Sequence, residues 1–176
     1  MDLLSLMKER YSVRKFEERP VEKATIERIL AAGMLAPTAK NLQPQRILVL
    51  DEKERLEALD RCTACRFGAP AVFVVCYDAD ACWKRGRYDG KLSGETDAAI
   101  VTTHMMLEAA ALGIGTTWVM HFDPAALRRE FSLPASYEPV ALLVAGYPAP
   151  DAQPSPMHEA SLPESDLVFF DRFPEK

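Results

Sequence analysis

Apolar positions along the chain fall into two kinds of run. Ile26, Ile29, Leu30 and Met34 recur at spacings of three and four, which predicts an amphipathic helix opened by Pro20 and stopped by Pro37. Ahead of it, Leu3, Leu4 and Met7 share one face of a short helix that Asp2 can cap and that runs out near Arg10. Elsewhere the apolar residues are continuous. RILVL at 46–50, AVFVVCY at 71–77 and PVALLVAGY at 139–147 read as buried strands, and GTTWVMHF from position 115 as a further one. Between the first two, the charged stretch from Asp51 to Cys62 predicts a helix with Leu56 and Leu59 inward, and Asp123-Pro124 has the cap-then-proline start of another.

A long helix is predicted over about 95–112, ended by Gly113. Its residues are small or apolar on nearly every side, so it is expected to be buried on most sides. One face would meet the sheet of its own domain and another a second copy of the chain. Beyond Gly146 the pattern breaks. YPAPDAQPSPMHEASLP holds five prolines and suits neither helix nor central strand, yet the apolar segment DLVFFDRF follows. Such an arm needs a docking surface, either on a partner subunit or on its own domain.

Two helices precede the first strand, and strands and helices do not alternate evenly. The class expected is therefore α+β, or a mixed three-layer arrangement, rather than a doubly wound parallel fold. With 176 residues and 48% apolar content, a single domain spanning 1–176 can build a proper core. The net charge of −5 comes without any basic stripe, which argues against nucleic acid as a partner. No apolar run approaches the ~20 residues of a membrane span, and the N-terminal segment lacks the order of a signal peptide, so a cytoplasmic location is expected. No GxGxxG follows a strand and no Walker motif occurs.

Candidate chemistry lies in two stretches. In KERYSVRKF, Arg10, Ser12 and Arg14 share a face of an extended segment. Two guanidiniums and a hydroxyl suit a phosphate or carboxylate; the alternative is a charged turn in solvent. In APTAKNLQPQ, Thr38, Asn41, Gln43 and Gln45 sit between helix and strand. Their amides suit a heterocycle with alternating donors and acceptors, or they satisfy the connection's own backbone. Cys62 and Cys65 have CxxC spacing, but no second pair completes a zinc site, and the reading taken is of ordinary reduced thiols with no metal site.

Five segments in order resemble the nitroreductase family of FMN-dependent oxidoreductases in its short form: RYSVRKF with RPV, APTAKNLQPQ, DGKLSGETDAAIVTTHMMLEAAALGIGTTWVMHFDP, YEPVALLVAGYP, and PSPMHE with DLVFFDRF. The resemblance implies a three-layer α/β/α fold with a central mixed sheet, in a homodimer whose arms (148–176) embrace the partner. It implies two FMN sites at the subunit interface. Arg10, Tyr11, Ser12 and Arg14 would line the phosphate, ribityl chain and pyrimidine edge. Pro37, Thr38, Ala39, Asn41 and Gln43 would approach the flavin, partly from the other subunit, and Val119, Met120 and His121 would pass beside its ring. NAD(P)H is the implied co-substrate, and a nitroaromatic, quinone or related small molecule the implied acceptor, in a ping-pong reaction that needs no catalytic side chain.

The sequence departs from the family pattern in places. Ala160, Ser161 and Leu162 stand where relatives often carry basic residues, Gln45 replaces a usual Trp, and Met120 replaces an acidic residue of longer members. The first of these departures motivates an alternative, a flavin-storing or sensing protein of the same fold. Trp83 and Tyr88 could form a lid over the ring or cover core.

Overall fold

The computed structural model describes residues 2–174. Helix α1 (Leu3–Glu9) is followed by α2 (Lys23–Met34), β1 (Gln45–Leu50), α3 (Lys53–Asp60), β2 (Ala71–Asp78), α4 (Gly94–Ala111), β3 (Gly115–Val119), α5 (Pro124–Phe131) and β4 (Tyr137–Gly146). The strands form one sheet in the order β1-β2-β4-β3. Every strand pair in it is antiparallel, which corrects the mixed sheet expected above. Among the described residues, the parallel contact is a single bridge between Ser12 and Thr116.

The continuous apolar runs have a simple cause: both faces of the sheet are covered. Ala71, Phe73 and Val75 of β2 and Ala141, Leu143 and Ala145 of β4 pack against α2 and α4 through Ile26, Ile29, Val101 and Met105. The intervening Val72, Val74, Leu142 and Val144 pack on the other side against Leu56 and Leu59 of α3 and Leu127 of α5. Alternation is still there, but each of its two phases is apolar. The three-layer expectation thus holds.

Helix ends follow local chemistry. The Asp2 side chain accepts from the Leu4 and Ser5 amides, and Asp123 does the same for Ala125 and Ala126. At the end of α4, Gly113 takes φ +75°, which lets the Ile114 amide reach the Ala109 carbonyl at 2.8 Å and the Gly113 amide reach Ala110 at 3.0 Å. This paired closure turns the chain directly into β3. Helix α2 begins at Lys23 rather than at Pro20. Val21 is buried and Glu22 is held by Arg19 and the Tyr147 hydroxyl, so the chain stays extended past the proline.

Some of the apolar surface has no cover within the chain. Leu3, Leu4 and Met7 of α1 are exposed, as are Met34 and Leu35 at the end of α2. Ala99, Ile100, Met106, Leu107 and Ala110 of α4 are only half-buried. The arm starts pinned to the N-terminal segment, where the Ala149 amide donates to the Lys15 carbonyl and Lys15 pairs with Asp151. Further along, Met157, Leu162, Phe170 and Phe173 are each more than 60% exposed. Among the described residues, no helix is long and apolar enough to cross a membrane.

Candidate functional site

Residues 10–14 leave α1 in extended backbone, Arg10 having φ −64° and ψ 130°. The segment lies along edge strand β3: the Val13 amide donates to the Thr116 carbonyl at 3.0 Å, and the Thr117 hydroxyl donates to the Val13 carbonyl. Val13 is 2% exposed and faces the core, which sends Ser12 and Arg14 the other way. The close approach of segment and strand depends on Gly115, where a Cβ would stand 2.6 Å from Val13 Cγ2.

Among the described residues, seven arginines have a carboxylate oxygen within 4.0 Å. Arg10 and Arg14 have none. Arg14 is exposed, and one of its guanidinium nitrogens donates to the Ser12 carbonyl at 3.2 Å. Of the arginines without such a partner, only Arg10 is not exposed. It lines a cavity of 210 Å³ together with Tyr11, Ala110, Gly113 and Thr116. The Thr116 hydroxyl oxygen is shut off from solvent and has no hydrogen-bond partner among the described residues. A half-buried arginine that lines a cavity and lacks a carboxylate partner is a place where an anion with acceptor oxygens fits.

The second group sits elsewhere. In the connection between α2 and β1, Lys40, Asn41 and Gln43 adopt φ of 53°, 54° and 51°. Three left-handed non-glycine residues within four positions are strained. The turn is held by the Asn41 amide on the Thr38 carbonyl and the Gln43 amide on the Thr38 hydroxyl. Ala39 donates its amide to Asp97 Oδ1 at 2.9 Å. Pro37, Asn41 and Gln43 are exposed, and Thr38 and Ala39 half-buried.

Within one chain these groups are apart. Arg10 shares its cavity with Ala110 near the C-terminal end of α4, whereas Ala39 is fastened to Asp97 in its first turn. Thirteen residues of helix separate the two, roughly 20 Å at 1.5 Å per residue. None of residues 37–43 lines the Arg10 cavity.

Strand β3 ends at Val119, so Met120 and His121 lie just beyond it, both exposed. Their path is set by Thr63, which sequence reasoning did not single out, and by the backbone of Cys62. The Thr63 hydroxyl donates to the His121 carbonyl at 2.6 Å, and the Cys62 carbonyl accepts from the Asp123 amide at 2.8 Å. The CxxC stretch therefore buttresses the end of β3. Its thiols are free, and burial pushes Cys62 up; the same effect takes Cys76 up to about 11. Among the described residues, no group of three or more His, Cys, Asp or Glu could hold a metal ion. Tyr88 is 77% exposed at the tip of a small loop whose sides bridge at Lys84 and Leu92, and Trp83 is half-buried at its base.

The model of the family described as "Nitroreductase family" matches residues 7–66 and 64–147. This chain belongs to the nitroreductase family. A relative from Methanothermobacter thermautotrophicus, provisionally named an NADH dehydrogenase/NAD(P)H nitroreductase, is 30% identical over 85% of this chain and 78% of its own. The crystal structure of a nitroreductase family protein from Clostridium difficile 630 is 40% identical, with a TM-score of 0.92, over 98% of this chain and all of the other. A provisionally assigned nitroreductase from Desulfovibrio desulfuricans, solved in complex with FMN, is 26% identical with a TM-score of 0.82, covering 99% of each chain.

Proposed function

We propose that this nitroreductase-family chain is an FMN-dependent oxidoreductase, taking hydride from NAD(P)H and passing it to a nitroaromatic, quinone or related small acceptor. The observation that carries the reading is Arg10, half-buried along a cavity and without a carboxylate partner among the described residues. A phosphate monoester supplies both the negative charge and the acceptor oxygens that Arg10 lacks. FMN carries such a phosphate, and the FMN complex of the Desulfovibrio relative supports the choice of ligand.

The separation of the two groups along α4 supports a homodimer. In a two-fold pair packed on the half-buried face of α4, the Arg10 end of one helix can face the Asp97 end of the other. Each site would then take Arg10, Tyr11, Ser12 and Arg14 from one chain and Pro37, Thr38, Ala39, Asn41 and Gln43 from its partner. The exposed apolar residues of α1 and of the arm suit the same assembly.

Bound FMN would supply the redox chemistry, accepting hydride in one half-reaction and giving it up in the next. The protein's residues bind and orient. Arg10 holds the phosphate. Arg14, permanently charged, stabilises negative charge at the pyrimidine edge. Asn41 and Gln43 present amides that can both donate and accept at the heterocycle. Met120 and His121, fixed through Thr63, limit how the ring is approached.

The test is the visible spectrum of freshly purified protein, followed by anaerobic addition of NADH and then NADPH. The reading predicts a yellow protein that one nucleotide bleaches and menadione recolours. A colourless protein that ignores added FMN contradicts it. A yellow protein that neither nucleotide bleaches favours the non-catalytic alternative.

A further inference from the structure

The buried acid of α4 is not among the residues assigned to the flavin above. Asp97 is 3% exposed, on the side of the helix that also buries Ala98, Val101 and Met105. Both of its carboxylate oxygens are engaged. Oδ2 accepts from the Ser93 hydroxyl at 2.7 Å, and Oδ1 accepts from the Ala39 amide at 2.9 Å, across 58 positions of sequence. Its place in the first turn of α4 adds the favourable field of the helix N-terminus. A charge so buried and so fully bonded has a defined position.

What it positions is the turn at 38–43. The internal hydrogen bonds of that turn join it only to itself; at its end Arg46 of β1 donates to the Gln43 carbonyl at 3.2 Å, and at its start the Ala39 amide fastens it to α4. The turn also holds Lys40, Asn41 and Gln43 in left-handed backbone, which costs energy that a released loop would recover by relaxing. We infer that Asp97 is a positioning residue: its carboxylate, through the Ala39 amide, holds the Thr38–Gln43 turn in the conformation that receives the flavin, without touching the flavin itself. The inference rests on the assignment of that turn to the FMN site. Its physical content is preorganisation: a turn already in its binding shape does not have to be ordered when the ligand arrives.

The experiment compares FMN affinity of flavin-stripped wild type, Asp97→Asn and Asp97→Ala, alongside the thermal midpoint of each. Asparagine keeps an acceptor for the Ala39 amide and a polar partner for Ser93; alanine keeps neither. Asp97→Ala is expected to bind FMN about tenfold more weakly than wild type. Asp97→Asn is expected to stay within about threefold of wild type, although its midpoint falls with the loss of charge at the helix N-terminus. Equal affinities for wild type and Asp97→Ala overturn the inference, as does an Asp97→Asn variant as weak as Asp97→Ala. Should the alanine variant not fold, amide exchange decides. The Ala39 amide must exchange at least about tenfold more slowly than that of Lys40, in wild type and in Asp97→Asn alike. Equal exchange at the two amides overturns the inference. Wild type that binds no FMN at all would instead remove the functional reading on which the inference stands.

Discussion

Arg10 and Glu22 show what isolated side chains contribute. Arg10 is half-buried with no carboxylate within 4.0 Å among the described residues, so its charge is free for a ligand. Arg10→Ala is expected to weaken FMN binding by ~2 kcal/mol, about thirtyfold, as for loss of a hydrogen bond to a charged group. Fluorescence titration of the stripped protein checks it, and unchanged affinity would remove the phosphate assignment. Glu22 accepts from the Tyr147 hydroxyl and pairs with Arg19 at 2.6 Å. The Tyr147 hydrogen bond first, and Arg19 second, hold its carboxyl at about 2 against an ordinary 4.5. A carboxyl lowered on folding stabilises the protein above its unfolded pKa, and that contribution is lost as pH falls through the folded one. The stability difference between wild type and Tyr147→Phe is therefore expected to be constant above about pH 5.5 and to shrink towards pH 2. Urea unfolding at pH 7, 4 and 2.5 measures it. The alternation of Arg10, Ser12 and Arg14 was legible in the sequence because an extended segment has a fixed period of two. Asp97 and Thr63 were not. Each acts on a residue 58 positions away, a distance over which no local pattern operates.

At the scale of elements, most of the architecture could be read from the chain, and the reasons differ by element. Asp2 and Asp123 mark helix starts because capping is a local bond. Gly113 marks a helix end because the closure there needs φ +75°. The start of α2 was misread at Pro20, since burial of Val21 and the hold on Glu22 are tertiary effects. Strand direction was equally hidden: an apolar run covered on both faces reads the same whether its neighbours run parallel or antiparallel. The contact of the N-terminal segment with β3 leads to a sharper expectation. A methyl group at Gly115 would meet Val13 Cγ2 at 2.6 Å and Pro148 Cγ at 3.0 Å. Gly115→Ala should cost about 2 kcal/mol through overpacking, and should also weaken FMN binding by shifting Arg10 and Ser12. Chemical denaturation and flavin titration of the same variant test both halves. A variant destabilised but with full affinity would separate the packing of this segment from its binding role.

For the whole molecule, the surface is as informative as the core. Leu3, Leu4, Met34 and Leu35, the half-buried face of α4 and the phenylalanines of the arm leave more apolar surface open than one chain accounts for. The many-sided apolar character of α4 was visible in the sequence; which side lacks a partner was not, because it depends on where α2 and the sheet lie. The central claim is that one flavin needs Arg10 from one chain and Asn41 from the other. Mixing tests it most directly. Arg10→Ala and Asn41→Ala homodimers each carry a defect in every site. After dissociation and random re-association at equal amounts, half the dimers should be mixed, each with one intact and one doubly defective site. Flavin titration of the mixture should then recover wild-type affinity in about a quarter of the sites, by the two-fold symmetry of the pair. Two weak variants whose mixture recovers no tight site would contradict the account.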